Sequence, residues 1–215
     1  MDPIGILLLV GVAGGLIWYL GKRQALMRRL KQAKPWSIGE LPEDTLGKIV
    51  GHARPVAETL TAPISGRSCV FYEVSVVQDH GKSSSTIIHE LQGVPFYLED
   101  GTGRAIVDPR GAEVVLEQDF STSSGTLDDA TPVETAFLQR HGKEPKGWVF
   151  NKSLRYRESI IGIGESVAVL GAGVREPDPD APPSQDYRGA MPTRLRLSNA
   201  REHKLVISDL PQAQR

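Results

Sequence analysis

The spacing of apolar and polar positions changes twice along the chain, which divides it into three regions. From Ile4 to Leu20, 17 residues pass without a charge or a proline, and ten of them are Ile, Leu or Val. Each such residue favours membrane insertion by roughly 0.3 to 0.6 kcal/mol. At 1.5 Å rise per residue the run reaches about 26 Å, close to a thin hydrocarbon core. The pattern predicts one transmembrane helix within residues 1–21, with Trp18 and Tyr19 where interfacial aromatics collect. A secretory signal peptide carries its positive charge before the apolar run, whereas here Asp2 precedes it and the cations follow. Gly11 and Gly15 form a single small-residue pair that is too generic to assign a helix-pairing role.

In the second region Leu26, Met27, Leu30 and Ala33 recur at helical spacing among Lys22, Arg23, Arg28, Arg29, Lys31 and Lys34. This predicts a basic amphipathic helix beside the span, which either lies on anionic lipid or serves only as the flank that stops translocation. The positive-inside rule then places the short N-terminus outside and the rest of the chain in the cytoplasm. Pro35 ends the helix, Trp36 to Glu43 reads as a linker, and residues 22–44 form a juxtamembrane unit.

From Leu46 onward short apolar runs alternate with Gly, Pro, Asp and Asn, the mark of an all-β domain, here residues 45–210 with a tail at 211–215. Val70, Tyr72, Val74 and Val76 alternate with Phe71, Glu73 and Ser75, a period of two. Strands are predicted at Gly47 to Ala53, Ser68 to Gln78, Thr86 to Leu91, Val94 to Leu98 and Arg104 to Val107. Four more are predicted at Glu113 to Leu116, Ser153 to Glu158, Ser166 to Ala172 and Arg194 to Leu197. Glu99 to Gly103 reads as a hairpin turn. Thr131-Pro132-Val133-Glu134 has the form of a capping box with Pro at the first helical position, and Gly142 closes that helix. Val133, Ala136 and Phe137 form its predicted apolar face, set over one end of a barrel. Residues 121–129 and 176–189 read as polar surface loops. The predicted fold is mainly β, a small closed or OB-like barrel with one or two short helices behind a membrane span.

Composition narrows the function. The chain has 25 basic and 26 acidic residues, but six cations lie between residues 22 and 34. From Pro35 onward 19 basic residues face 25 acidic ones, a net charge of −6. Such a domain is a poor match for nucleic acid, so no nucleic-acid partner is expected. The single cysteine, Cys69, excludes an internal disulfide framework and zinc sites built from cysteine pairs. Cys69 opens an apolar strand, where packing is a better account than nucleophilic chemistry.

His52, His80, His89, His141 and His203 have no metal-ligand spacing, and neither a metal nor a cofactor is expected. Asp100 and Asp108 flank the Gly-rich hairpin and read as turn residues before an acid pair. Gly101-Thr102-Gly103 is too short for a phosphate loop, and Gly162, Gly164, Gly171 and Gly173 read as barrel corners. Arg188, Arg194, Arg196, Arg201 and Lys204 make a basic stretch that either binds an acidic partner or lipid, or is a solvated strand face.

Three ordered blocks carry a family resemblance. These are Ala62-Pro63-Ile64-Ser65-Gly66-Arg67-Ser68-Cys69-Val70-Phe71-Tyr72, then Phe96 to Gly103 leading to Val107-Asp108-Pro109-Arg110-Gly111-Ala112, and Leu154 to Ile161 followed by Val167 to Gly171. Together with Leu205 to Asp209 they resemble the BAM (beside-a-membrane) or GIDE domain across roughly residues 45–210. The resemblance implies kinship with membrane-embedded mitochondrial E3 ubiquitin ligases, in which the domain lies between two membrane helices and a RING finger follows. This chain is more similar to bacterial relatives without the RING, because it ends at Arg215 before a second span and one cysteine cannot build the zinc framework. The resemblance therefore implies a membrane-proximal module, non-catalytic by itself, that binds an unidentified protein or other partner, with a second copy of the chain among the candidates. It supplies no catalytic residue to transfer; ligase-related activity and an unrecognised enzyme stand as the alternatives.

Overall fold

The computed structural model describes residues 21–81, 83–124, 130–143, 153–180, 192–199 and 203–215. Among these, twelve strands and two helices form a barrel and a separate second sheet, one long strand of which sends side chains into both cores. Helix α1 covers 21–32 and α2 Pro132–Arg140. The strands are β1 Leu46–Pro55, β2 Leu60–Thr61, β3 Ser68–Asp79, β4 Ser84–Gly93, β5 Phe96–Glu99 and β6 Arg104–Val107. They continue as β7 Glu113–Val115, β8 Phe120–Ser124, β9 Leu154–Gly162, β10 Ser166–Pro177, β11 Thr193–Ser198 and β12 Val206–Ser208.

In the first sheet the order β1-β5-β6-β11-β10 returns to β1 through a further β1–β10 pairing, which closes a five-stranded barrel. Every pair in the ring is antiparallel except β6–β11. Closure removes the free edges that an open sheet would present. Its interior is filled by alternate residues: Phe96 and Leu98, Ala105 and Val107, Val167 and Val169, and Leu195 and Leu197. The glycine at position 51 permits this closure, because a Cβ there would lie 2.6 Å from the Glu99 carbonyl oxygen. The mainly β fold with a closed barrel and short helices is as the sequence predicts.

The second sheet runs β2-β3-β9-β8, with β4 on β3. An irregularity between Cys69 and Phe71 splits β3 between two cores: Val70 and Phe71 enter the barrel, while Cys69, Tyr72, Val74 and Val76 enter the second core. Helix α2 caps this second core through Phe137 and Leu138 and does not close the barrel. Its capping box forms as predicted, between Thr131 and Glu134, and Gly142 takes a φ of 67°. Its buried face is Glu134, Phe137 and Leu138, however, with Val133 48% exposed. Apolar periodicity misplaced the face because Glu134 is held inward by its own capping hydrogen bond from Thr131 N, at 2.8 Å.

The helix that does cover the barrel is α1. Leu26 and Leu30 pack with Val115, Ala168, Leu170, Val206 and Ala213, on the outer side of β10 and its neighbours β12 and β7. Its apolar stripe is thus spent on the protein, which departs from a stripe laid on lipid. The 36–43 stretch expected as a linker also joins the fold. Ile38 and Leu41 are buried in the barrel core, and Trp36 N donates to the Lys48 carbonyl at 2.8 Å. Residues 211–215 contribute the buried Ala213.

The unpredicted elements are short or polar: β2, the Ser-rich β8 within the stretch read as a loop, and β12. Strand β10 also runs on to Pro177, into the stretch read as a loop from Glu176. The predicted span, with Trp18 and Tyr19, lies outside the described residues; among those described, no helix is long and apolar enough to cross a membrane.

Candidate functional site

Residues with the reactivity that chemistry requires are not brought together among the described residues. Cys69 is fully buried, and its thiol is pushed up to about 11, first by burial and then by the nearby Glu158 carboxylate. At neutral pH it is a thiol, not a nucleophile. The histidines are dispersed. His52 Nδ1 lies 3.2 Å from the Gly164 carbonyl, His80 Nε2 3.2 Å from Ser85 Oγ, His89 Nε2 2.8 Å from Glu73 and His141 Nε2 2.6 Å from Glu90, while His203 is exposed. Among the described residues no three metal-ligating side chains gather.

Asp100 and Asp108 serve turns. Asp100 Oδ1 accepts from Thr102 N at 2.8 Å while Oδ2 accepts from Ile38 N at 2.7 Å, and Asp108 Oδ1 accepts from Arg110 N at 3.1 Å. The glycines are built into the fold, and a Cβ at Gly171 or Gly173 would meet the Leu205 or Leu195 side chain at 2.5 Å and 2.6 Å.

The six cations between residues 22 and 34 are partly committed to the protein. Lys22 and Arg29 reach Glu113 at 3.3 and 3.4 Å, and Arg23 donates to the Leu116 carbonyl at 3.2 Å. Lys31 donates to Gln212 at 3.1 Å, and Lys34 lies 3.8 Å from the Trp36 ring centroid. Arg28 is exposed.

Among the described residues a dense assembly of charge lies elsewhere, on the outer face of β5, β6 and β11. Because side chains alternate along a strand, the residues between the core positions face outward together: Tyr97 on β5, Arg104 on β6, and Arg194 and Arg196 on β11. The parallel β6–β11 pairing sets Arg194 next to Arg104 in register, one step before Leu195 and Ala105. Opposite them stand Glu176, Asp178 and Asp180, from the end of β10 and the residues after it. Arg104 Nε and Nη2 both donate to Asp178 at 2.5 Å, a two-pronged pair. Arg194 Nε donates to Glu176 at 2.7 Å and its Nη1 to the Tyr97 hydroxyl at 2.7 Å. Arg196 Nε and Nη2 donate to Glu176 at 2.6 and 2.9 Å. The Tyr97 hydroxyl in turn donates to Asp180. The Arg104 guanidinium carbon lies 4.7 Å from the Tyr97 ring centroid.

The electrostatics follow the geometry. The hydrogen bond from Arg104 holds the Asp178 carboxyl below its usual range, and that from Arg196 does the same for Glu176. Burial, with the hydrogen bond to Asp180, raises the Tyr97 phenol.

Arg194 is only 9% exposed, so a solvated strand face does not describe it; Lys204 is exposed, and Arg188 and Arg201 lie outside the described residues. A signal for the assembly was present in the sequence. Carboxylates at 176, 178 and 180 and arginines at 194 and 196 both repeat with a period of two, which is the strand period.

A search of family models matches residues 71–187 to GIDE, described as an E3 ubiquitin ligase. That match spans more than half of the chain. The chain belongs to the GIDE family. The match takes in β4, β5, β6, β9, β10 and nearly all of β3, hence both the second sheet and most of the barrel ring. No curated protein and no solved structure matches the chain. Membership of the GIDE family points to a ligase-related role; the one cysteine leaves this sequence short of a cysteine-built zinc framework for docking a conjugating enzyme.

Proposed function

We propose that this GIDE-family chain is a single-pass membrane protein that holds a recognition barrel against the cytoplasmic face of the bilayer and is non-catalytic by itself. The observation that carries this reading is the docking of α1. The uncharged stretch ends at Leu20, and α1, already helical at Gly21, is fixed to the barrel by Leu26 and Leu30. The membrane run is therefore followed by a packed element instead of a free tether, and the barrel's position follows that of the anchor.

The barrel order also supports a binding role. Numbered along the chain, its strands run 1-2-3-5-4 around the ring with 3 and 5 parallel, a five-stranded arrangement of the OB-like kind. Such barrels bind ligands on the face of strands 2 and 3, here β5 and β6, and that is where Tyr97 and Arg104 lie. The buried thiol and dispersed histidines support recognition over chemistry. In a ligase-related process the chain supplies a partner-binding surface and not the transfer step.

The test is crosslinking in intact membranes followed by affinity capture, comparing the full chain with one ending at Glu40. Proteins enriched only by the full chain support the proposal; identical captures overturn it in favour of an anchor without recognition or an unrecognised activity.

A further inference from the structure

Exposed apolar side chains are ordinary when they stand singly, but two of them stand at the end of the barrel where α1 begins. Ile163 is 45% exposed in the turn that joins β9 to β10, between Gly162 and Gly164, and Phe120 is 39% exposed at the start of β8. The ion pair of Arg67 and Asp119 bridges the two. Asp119 directly precedes Phe120, and its Oδ1 accepts from Arg67 Nη1 at 3.1 Å. Arg67 Nη2 in turn comes within 4.0 Å of the point where a Cβ on Gly162 would stand. On the other side of the turn, Arg54 Nη1 lies 3.3 Å from the corresponding point on Gly164. Both guanidinium side chains are about half exposed, at 53% for Arg67 and 49% for Arg54.

Contacts tie this rim to the first turn of α1. Arg23 Nη2 donates to the Leu116 carbonyl at 3.2 Å, four residues before Phe120. Glu117 N donates to Asp209 Oδ1 at 2.8 Å, and Gln214 Nε2 donates to the carbonyls of Asp209 at 2.6 Å and Ser166 at 2.9 Å. Ser166 follows Ile163 by three residues, and the uncharged run ends at Leu20, one residue before α1. The two nearest carboxylates are turned to the protein: Asp119 Oδ2 accepts from Ile160 N at 2.9 Å, and Glu165 Oε2 from Gly162 N at 2.6 Å. What the rim offers outward is an aromatic and an aliphatic side chain flanked by two guanidiniums. Such a set suits the bilayer interface, where apolar groups enter the acyl boundary while cations reach lipid phosphates.

We infer that the rim formed by Ile163, Phe120, Arg67 and Arg54 is a second contact with the bilayer, which fixes the tilt of the barrel about its anchor. This rests on the membrane anchor proposed above and adds the surface that meets lipid. Leu46 and Val174 supply the contrast. They are as exposed, at 40% and 51%, but Val174 stands eight residues along β10 from Ser166, about 26 Å of strand, so it is placement and not exposure that selects the face.

The experiment places the full chain in vesicles of phosphatidylcholine with a minority of phosphatidylglycerol, with brominated acyl chains, and attaches an environment-sensitive fluorophore to Ile163→Cys, Phe120→Cys or Val174→Cys. Cys69 is fully buried, so the unaltered chain serves as the labelling blank. Quenching by bromine at positions 163 and 120 is expected to be at least about threefold that at 174. Should Phe120→Cys not fold, Ile163→Cys in its exposed turn decides the matter. Inserted chains in which position 163 is quenched no more than position 174 overturn the inference and leave the anchor standing. A chain that stays out of the vesicles overturns the anchor, and this contact with it.

Discussion

Arg194 and Tyr97 meet on the outside of the barrel, where the guanidinium Nη1 donates to the phenol oxygen at 2.7 Å and the phenol donates its own proton to a hydrogen bond with Asp180. The contact joins β5 to β11 across β6, and it puts an aromatic ring under two guanidiniums on a surface that would otherwise be water-covered. Tyr97 is 6% exposed although it points away from the barrel core. Removing the hydroxyl leaves Arg194 Nη1 without that acceptor in a poorly hydrated place. Tyr97→Phe is expected to lower stability by about 1–2 kcal/mol. Urea unfolding checks this, and Asp180→Asn in the Tyr97→Phe background should cost less than it does alone, since the shared bond is already gone.

The docking of α1 is a matter of packing, and it is checked by removing packing. Leu30 is fully buried against the outside of the barrel, whereas Arg28 on the same helix is exposed. Leu30→Ala is expected to cost about 2–5 kcal/mol, and Arg28→Gln no more than about 0.5 kcal/mol. Equal effects in denaturant titrations would mean that α1 does not hold the barrel.

Cys69 offers a direct check on the absence of thiol chemistry. With its thiol pushed up to about 11 and no exposed surface, it should react with a disulfide reagent only as fast as the protein opens. Labelling of the native chain at pH 7 as fast as that of the unfolded chain would contradict the burial.

Acid should stabilise this protein over part of the range. Burial, with Glu165 and Asp119 near by, pushes the Asp209 carboxyl up to about 7 against the opposing hydrogen bond from Glu117 N at 2.8 Å. Its value in the unfolded chain is about 3.9. Between those values the folded state binds more protons than the unfolded state, so stability falls as pH rises from about 4 to 7 and gains as pH is lowered through 7. Glu165, raised chiefly by burial, acts in the same direction. Thermal melts from pH 8 to pH 5 should show a rising midpoint, and Asp209→Asn should flatten that rise. A midpoint that falls monotonically on acidification would refute the assignment.

Much of the fold is legible in the chain because local signals agree with tertiary ones. The strands at Ser68, Arg104 and Ser166 begin where their alternation begins, and the Thr131 capping box forms as its residue types require. What was not legible depends on partners distant in sequence. Ile38 and Leu41 sit in a stretch rich in Pro, Glu and Ser and are buried only because β1 and the barrel receive them. Leu26 and Leu30 carry an amphipathic pattern whose apolar face is equally suited to lipid or protein, and it is the apolar surface of Val115, Ala168, Leu170, Val206 and Ala213, distant in sequence, that receives it. The charged surface was half visible. Arg194 and Arg196 stood out as a basic stretch, but their acidic complement lay in a segment whose prolines and aspartates read as a loop.

The most direct test of a barrel held at the bilayer is alkaline carbonate extraction of membranes from cells making the full chain, set beside the same chain lacking residues 1–20. The full chain is expected to stay in the membrane pellet, and the shortened chain to be released and still folded. Release of the full chain into the carbonate supernatant would contradict a barrel anchored by its own span.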